Sequence, residues 1–441
     1  MKKVLYTILF VLLFSQMSFA GGQKEQVKGG PVTLDMWFQD WSAGIEITTE
    51  FVNYLKTKNP NIQINIIPIP RESMTEKTVP AIMSKTEPEI IFGYTEYLEG
   101  LDYSKIFYSV TPKFFSKEEA ESKWYKNFLK MMEGKDGNYY GIPWGSGSDG
   151  WGFVLNNNIA DKAGVKYTPG LTEFAKWDDL VKAAKKMTEY NADGSIKVSG
   201  ISMGTEIVPI FESFCLSLGA NPFDPKTKKW DFTSEPCKKA LDLLYTDLVK
   251  KEKVFDPRFT DTYGAFPKNI VGLACLGPWA LGAFSVDYPE LKMTYVPLPV
   301  PSDKPRYSMV AWAFWFFSQR LAGEKEEAAK YVAHELATQV YPAIQIEKWA
   351  GTPANKEFVE GIKSGSLTPK TEIGKINARV AVKMAESFAP NIYFYEGTKV
   401  TTVERRMVCD SELTALLSGA QDVSTTLKNI TEKLNSIEKN K

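Results

Sequence analysis

Near its start the chain alternates strand and helix in an order that few folds accommodate. Val32-Thr-Leu-Asp-Met-Trp-Phe38 is an apolar run of strand length, and the helical stretch from Ile45 to Thr57 is stopped by Asn59-Pro60. Ile62-Gln-Ile-Asn-Ile-Ile67 alternates as a second strand, Pro80 to Lys85 ends another helix, and Glu89-Ile-Ile-Phe92 is a third strand after the break at Glu87-Pro88. Strand, helix, strand, helix, strand predicts a parallel sheet, because parallel neighbours need crossovers that return the chain to the same end. Ligands of such sheets lie beyond the carboxyl ends of the strands. The loops in that position are Gln39-Asp40-Trp41 and Gly93-Tyr94-Thr95-Glu96-Tyr97.

The stretch from Tyr139 to Asn156 changes character. Glycines at 141, 145, 147, 150 and 152 leave its backbone permissive, which suits a hinge crossing between two lobes. A second α/β region follows through the helix Trp177 to Met187, the strand Ser199 to Ser202, the helix Cys237 to Lys250 and the strand Val271 to Leu276. Pro297 to Pro305, with four prolines in nine residues, predicts a second crossing. Met309 to Phe317 is apolar on both faces and belongs in the middle of a sheet, and Leu416 to Asn440 closes the chain as helix.

Lys2 and Lys3 precede the apolar run Val4 to Phe14, and Ser18-Phe19-Ala20 supplies the small residues that signal peptidase reads, so residues 1–20 are expected to be a cleaved signal peptide and 21–30 a flexible tether. The protein is thus expected in the periplasm or at the extracytoplasmic face, with no cysteine at the cleavage site to carry a lipid anchor. Without the signal, 51 basic residues face 53 acidic ones, which leaves no electrostatic footprint for nucleic acid or an anionic membrane. The single histidine, His334, sits in an amphipathic helical run and reads as a helix-surface residue; no G-x-S-x-G elbow accompanies it. No C-x-x-C spacing, P-loop or dinucleotide fingerprint is present, so no metal, cofactor or catalytic residue is assigned. Cys215, Cys237, Cys275 and Cys409 permit disulfides in an exported chain, but the apolar runs around Cys215 and Cys275 favour buried free thiols.

Several local patterns occur in an order that resembles family 1 extracellular solute-binding proteins, the sugar-binding components of bacterial ABC importers. They are Asn59-Pro60 between the opening strands, Pro88-Glu-Ile-Ile-Phe-Gly-Tyr94, Tyr140-Gly-Ile-Pro-Trp144 leading to Leu155-Asn-Asn157, Lys176-Trp-Asp-Asp-Leu180, Gly277-Pro-Trp-Ala280 before Val296-Pro-Leu-Pro299, Ala328-Ala-Lys-Tyr-Val332, and Trp349-Ala-Gly-Thr-Pro-Ala354. The chain departs from the family where Val310-Ala311 stands before Trp312 in place of two glycines. The resemblance implies a type II periplasmic-binding-protein fold, two α/β lobes joined by hinge crossings: residues 31–146 with 303–338 as the first lobe, 149–300 with 340–441 as the second. It also implies a monomer with ABC permease subunits as partners. By motif position, Asp40, Glu96 and Asp149 would accept hydrogen bonds from sugar hydroxyls, and Trp279 would be the stacking platform.

The residues support that reading independently. A sugar ring has an apolar C–H face and a belt of hydroxyls, so it favours flat aromatic walls with a few aimed polar groups. Trp41, Trp144, Trp151, Trp279, Trp312 and Trp349 sit in loops or beside glycines at strand ends, and about half of them are expected to touch ligand. Tyr94 belongs to the same loops, while Glu206 and Phe211 stand at a loop-to-helix entry in the second lobe. Trp37 and Trp315 read as core, and Trp124, Trp177 and Trp230 as structural; Asp40 and Glu96 also fit as ordinary solvated acids. Two other classes stay open: a carbohydrate-active enzyme using Asp149 with Glu96 as its carboxylate pair, and a polyamine binder caging its cation with Asp40, Glu96 and Asp149 among tryptophans.

Overall fold

In a computed structural model, residues 30–70, 73–98, 101–145, 151–259, 261–299, 301, 307–309, 313–351, 354–387, 392–393 and 395–441 are described. The expected signal peptide, Asp149 and Trp312 lie outside these residues. Two separate sheets organise the chain. The first has the strand order Ile62–Ile69, Val32–Gln39, Ile90–Tyr94, Ala313–Phe317, Ile142–Gly145. Its three opening strands run parallel, and Ala313–Phe317 is antiparallel to both neighbours. The second sheet has the order Gly170–Leu171, Met293–Pro297, Gly152–Asn156, Val271–Leu276, Ile196–Ser202, Glu189–Tyr190. The architecture is the bilobal α/β arrangement expected.

Burial follows position in the sheets. Every residue of Ile90–Tyr94, Ala313–Phe317, Gly152–Asn156 and Val271–Leu276 is buried, as central strands covered on both faces require. The edge strand Ile62–Ile69 mixes buried and exposed positions. Trp315, Trp124, Trp177 and Trp230 are buried in the core, as their sequence settings suggest, whereas Trp37 is only half-buried. All four cysteines are buried free thiols. His334 is half-covered by Phe115, whose ring centroid lies 4.5 Å away, so the helix surface it occupies is a packed one.

The chain passes from the first sheet to the second between Gly145 and Gly152, and back between Pro297 and Ala313. Gly145 has φ +106°, a conformation that side-chain-bearing residues avoid. Contacts divide the stretch 340–441, which the sequence reading places wholly in the second lobe. The helix Val340–Ile346 packs on the first-lobe helix Ser42–Lys58, where the Tyr341 and Thr48 hydroxyls are 3.0 Å apart. Lys356 donates to the Glu121 carbonyl at 2.6 Å, also in the first lobe. The helix Glu372–Ser387 instead lies against Gly170–Leu171 of the second sheet.

Glu89 ties three first-lobe elements together. Its carboxylate accepts from the Asp35 N–H at 2.8 Å and from the Lys325 ammonium at 2.6 Å. Burial alone would push this carboxyl up, but Lys325 and the Asp35 amide outweigh it and hold it below the usual carboxylate range. A folded pKa below the unfolded value of about 4.3 means that the stability is complete above that pH and is lost as pH falls through the lowered value. Glu89→Gln should therefore cost about 1–3 kcal/mol at neutral pH, and urea unfolding repeated down to about pH 3 should show the variant losing less stability on acidification than the parent.

Candidate functional site

Each sheet gathers its candidate loops at one of its edges. The carboxyl ends of Val32–Gln39, Ile90–Tyr94 and Ile142–Gly145 coincide, because Ala313 pairs with both Tyr94 and Gly145. This brings Asp40-Trp41, Tyr94 with the short turn Thr95–Tyr97, and Trp144 to the same rim. On the second sheet Leu276 pairs with Gly152, and Gly152 with Pro297, so Trp151, Gly277-Pro278-Trp279 and the turn Gly204–Glu206 share the corresponding edge.

The first edge carries an aromatic nest. Trp41 packs on Trp349 with centroids 5.0 Å apart, meets Trp144 edge-on at 5.9 Å, and leans on Phe38 at 5.5 Å. Gly44 makes this possible, since a Cβ there would lie 2.5 Å from the Trp41 ring. Tyr94, buried, meets Phe92 edge-on at 5.7 Å just below the nest. The second edge carries a tryptophan pair, Trp151 and Trp279, edge-to-face at 4.8 Å. The Trp279 indole donates to the Tyr263 hydroxyl at 3.2 Å, and its ring covers Gly277 so closely that a Cβ there would fall 1.5 Å from it. The glycine before Trp279 is thus required by the ring itself.

Two contacts join the edges. Gly282, in the helix Trp279–Asp287, comes against Trp349, and a Cβ on it would sit 2.5 Å from the Lys348 carbonyl. Trp349 therefore reaches from the second-lobe helix to Trp41 in the first lobe. The second contact is polar. Arg406, in the helix Thr402–Leu417, places Nη1 3.8 Å from Glu96 Oε2 and Nη2 3.5 Å from Glu206 Oε2. Asp410, one turn further along that helix, is held above its ordinary value by burial, with Arg406 opposing the shift. Beside Glu96, a cavity of about 280 Å³ opens among Thr95, Tyr103, Lys130, Tyr395, Lys399 and Arg405.

Several buried polar atoms at the first edge have no hydrogen-bond partner among the described residues: the indole N–H groups of Trp41 and Trp349 and Gln39 Oε1. Leaving such a group unmet costs about 1–3 kcal/mol each. Trp177 and Trp230 also bury an unmet indole N–H. At this edge unmet donors and an acceptor gather at the carboxyl ends of the strands.

Of the residues picked from sequence, the structure thus gathers Trp41, Trp144 and Trp349 with Tyr94 nearby, pairs Trp151 with Trp279, and links Glu96 to Glu206. Asp40 is exposed at the rim, its N–H bonded to the Ile69 carbonyl at 2.8 Å. Phe211 is fully buried and stacks on Phe232 at 5.7 Å, because the helix Ile207–Ser217 is buried all round; it takes no place at the edge. Arg406, Tyr263 and Gly282 are not among the residues that the sequence singles out. Arg406 has no local signal, since its partners are remote in the chain, whereas the proximity of Gly282 to the Gly277-Pro-Trp turn was a cue available to be read.

Residues 42–357 match the family described as bacterial extracellular solute-binding protein. No curated protein matches the chain by sequence. Among solved structures the chain is similar to the ABC substrate-binding protein Lmo0181 from Listeria monocytogenes in complex with cycloalternan, at 20% identity over 92% of this chain and 98% of that one, with a TM-score of 0.70. It is similar to maltose-bound T. maritima MalE3 at 19% identity, 92% and 99% coverage and a TM-score of 0.70. It also resembles UgpB from Mycobacterium tuberculosis in complex with glycerophosphocholine at 16% identity, 93% and 99% coverage and a TM-score of 0.73. At these identities the likeness establishes the fold.

Gly277→Ala tests how Trp279 is held. The added methyl cannot share space with the ring, so the indole must leave its contact with Trp151, at a cost of about 1–3 kcal/mol. Near-ultraviolet circular dichroism should lose the signal of the tryptophan pair while the far-ultraviolet spectrum persists; an unaltered near-ultraviolet spectrum would show that the ring is not locked in this way.

Proposed function

The chain belongs to the bacterial extracellular solute-binding proteins, and on that footing we propose that it captures a neutral carbohydrate of di- or oligosaccharide size between its lobes and delivers it to an ABC importer permease. The observation that carries this reading is the mixture of unmet indole donors and the unmet Gln39 amide acceptor beside the Trp41, Trp144 and Trp349 rings. A hydroxyl both donates and accepts, so a polyol answers both kinds of group at once. A protonated polyamine only donates, and leaves the indoles of Trp41 and Trp349 unmet. It would also meet the guanidinium of Arg406 between the two glutamates. The aromatic surfaces suit the C–H face of a sugar. Cycloalternan and maltose in two of the similar structures support the same ligand class.

No catalytic role is assigned. Capture and release require the ligand to leave unchanged, which matches a family of binding proteins. Among the described residues no group of three or more His, Cys, Asp or Glu side chains is placed to hold a metal ion. The proposed location is outside the cytoplasm, reached through the signal at residues 1–20, with the protein acting as a monomer. Mass spectrometry of the natively expressed protein should find a chain beginning after Ala20, and a retained leader would contradict export by cleavage.

Ligand class is testable by thermal shift of the mature protein against mono-, di- and oligosaccharides and polyamines. A true ligand at about 100 times its Kd stabilises by about 2.7 kcal/mol and raises the midpoint. A saccharide should do so and spermidine should not; the reverse result, or release of reducing sugar from an oligosaccharide, would replace this reading with one of its rivals. For the best saccharide, Trp279→Ala should weaken binding by about 2 kcal/mol, roughly thirtyfold, by calorimetry.

A further inference from the structure

Two consecutive arginines in the helix Thr402–Leu417 do different work. Arg405 is buried with Glu212, Nε to Oε1 2.7 Å, and its guanidinium lies 4.8 Å from the centroid of the Tyr395 ring. Glu212 belongs to the second-lobe helix Ile207–Ser217, so this pair fixes Thr402–Leu417 to the second lobe. Thr401 and Glu404 complete the anchorage as a capping box at the helix start. The next residue points about 100° further round the helix. Arg406 is not among the buried residues of this helix, Arg405, Cys409, Glu412, Leu413 and Leu416, and its side chain stays partly covered at 28% exposure. It shares its side of the helix with Val403 and Met407, which are large, apolar and uncovered at 41% and 67% exposure.

From there Arg406 reaches Glu96 in the first lobe and Glu206 in the second. The contacts differ in kind from the Arg405 pair. At 3.8 and 3.5 Å they are too long for strong charge-assisted hydrogen bonds, so the guanidinium is shared between two acceptors and seated tightly on neither. Two carboxylates, one from each lobe, repel as the lobes approach, and the single positive charge between them reverses the sign of that encounter. Asp410 adds a further acid one turn along the same helix, while Glu212 is already committed to Arg405.

We propose that Arg406 is a positioning residue for lobe closure, a shared counter-ion that lets Glu96 and Glu206 meet across the cleft. The proposal rests on Glu96 lying in the ligand site. Its test uses the protein without ligand, so that it stands or falls separately from the choice of sugar. With Arg406 in place the two glutamates can approach each other; without it their repulsion biases the cleft toward opening.

The measurement is the interlobe distance in the mature full-length chain, by electron-spin or fluorescence pairs on Met83→Cys and Tyr190→Cys. Both positions are exposed, one near the first sheet and one on the second, and the four native thiols are fully buried. Arg406→Gln should shift the distance distribution to longer values. Arg406→Lys, which keeps the charge and loses the planar fork, should recover part of the shift. Glu96→Gln removes the repulsion together with the clasp, so adding it to Arg406→Gln should bring the distances back toward the parent, which is the non-additivity expected of groups in one network. An Arg406→Gln distribution superimposable on the parent would overturn the proposal, as would an equal shift in Arg406→Lys, because a purely steric role is indifferent to charge. Should Arg406→Gln fail to fold, salt reads the same property in the unsubstituted arginine: raising ionic strength from about 0.1 to 1 M shortens screening from about 10 to 3 Å. Distances should then lengthen, and salt-independent distances would refute the clasp.

Discussion

Everything at the candidate site depends on one constraint of the sheets. Central strands such as Ile90–Tyr94 and Val271–Leu276 are buried on both faces, so neither face can carry polar groups toward a solute. Polar groups and the aromatic side chains beside them are left to the strand ends, where Trp144, Trp279 and Glu96 are still largely covered. Pairing Leu276 with Gly152, and Ala313 with both Tyr94 and Gly145, then fixes which ends coincide. Once those registers are set, Trp41, Trp144 and Glu96 have to share one rim, and Trp151, Trp279 and Glu206 another.

The two rims touch through small residues on one side and charge on the other. Gly277 and Gly282 are glycines because an indole and a backbone carbonyl occupy the space a side chain would fill. A methyl at either position would displace Trp279 or push the Trp279–Asp287 helix away from Lys348 and Trp349. The polar contact tolerates movement better. A guanidinium placed 3.5–3.8 Å from two carboxylates can follow either as the lobes shift, whereas the aromatic contacts are made or lost over short distances.

Much of the fold was legible because its signals are local. The strand at Val32, the break at Asn59-Pro60 and the glycines before Phe153 act within a few residues, and the parallel sheet follows from their order. Trp279 was legible for the same reason, since Gly277-Pro278 announces a turn at a strand end. Phe211 was not, because an apolar residue at a helix start looks alike whether it faces solute or core, and only the packing of Ile207–Ser217 against Phe232 places it. Within 340–441, helical periodicity identified elements but not the lobe each packs on; Tyr341 faces Thr48 across the fold, and no spacing in the chain records that.

Sequence by itself determined the class of fold, the two places where the chain changes sheets, and the supply of tryptophans at turns, since each follows from periodicity and turn chemistry over short windows. Tertiary structure decided which of those side chains meet. It seated Trp349 on Trp41, left indole donors and an amide acceptor unmet at one edge, and set Arg406 between glutamates from different lobes. Those outcomes depend on sheet register and helix docking, and contacts between residues hundreds of positions apart leave no periodic trace in the chain that makes them.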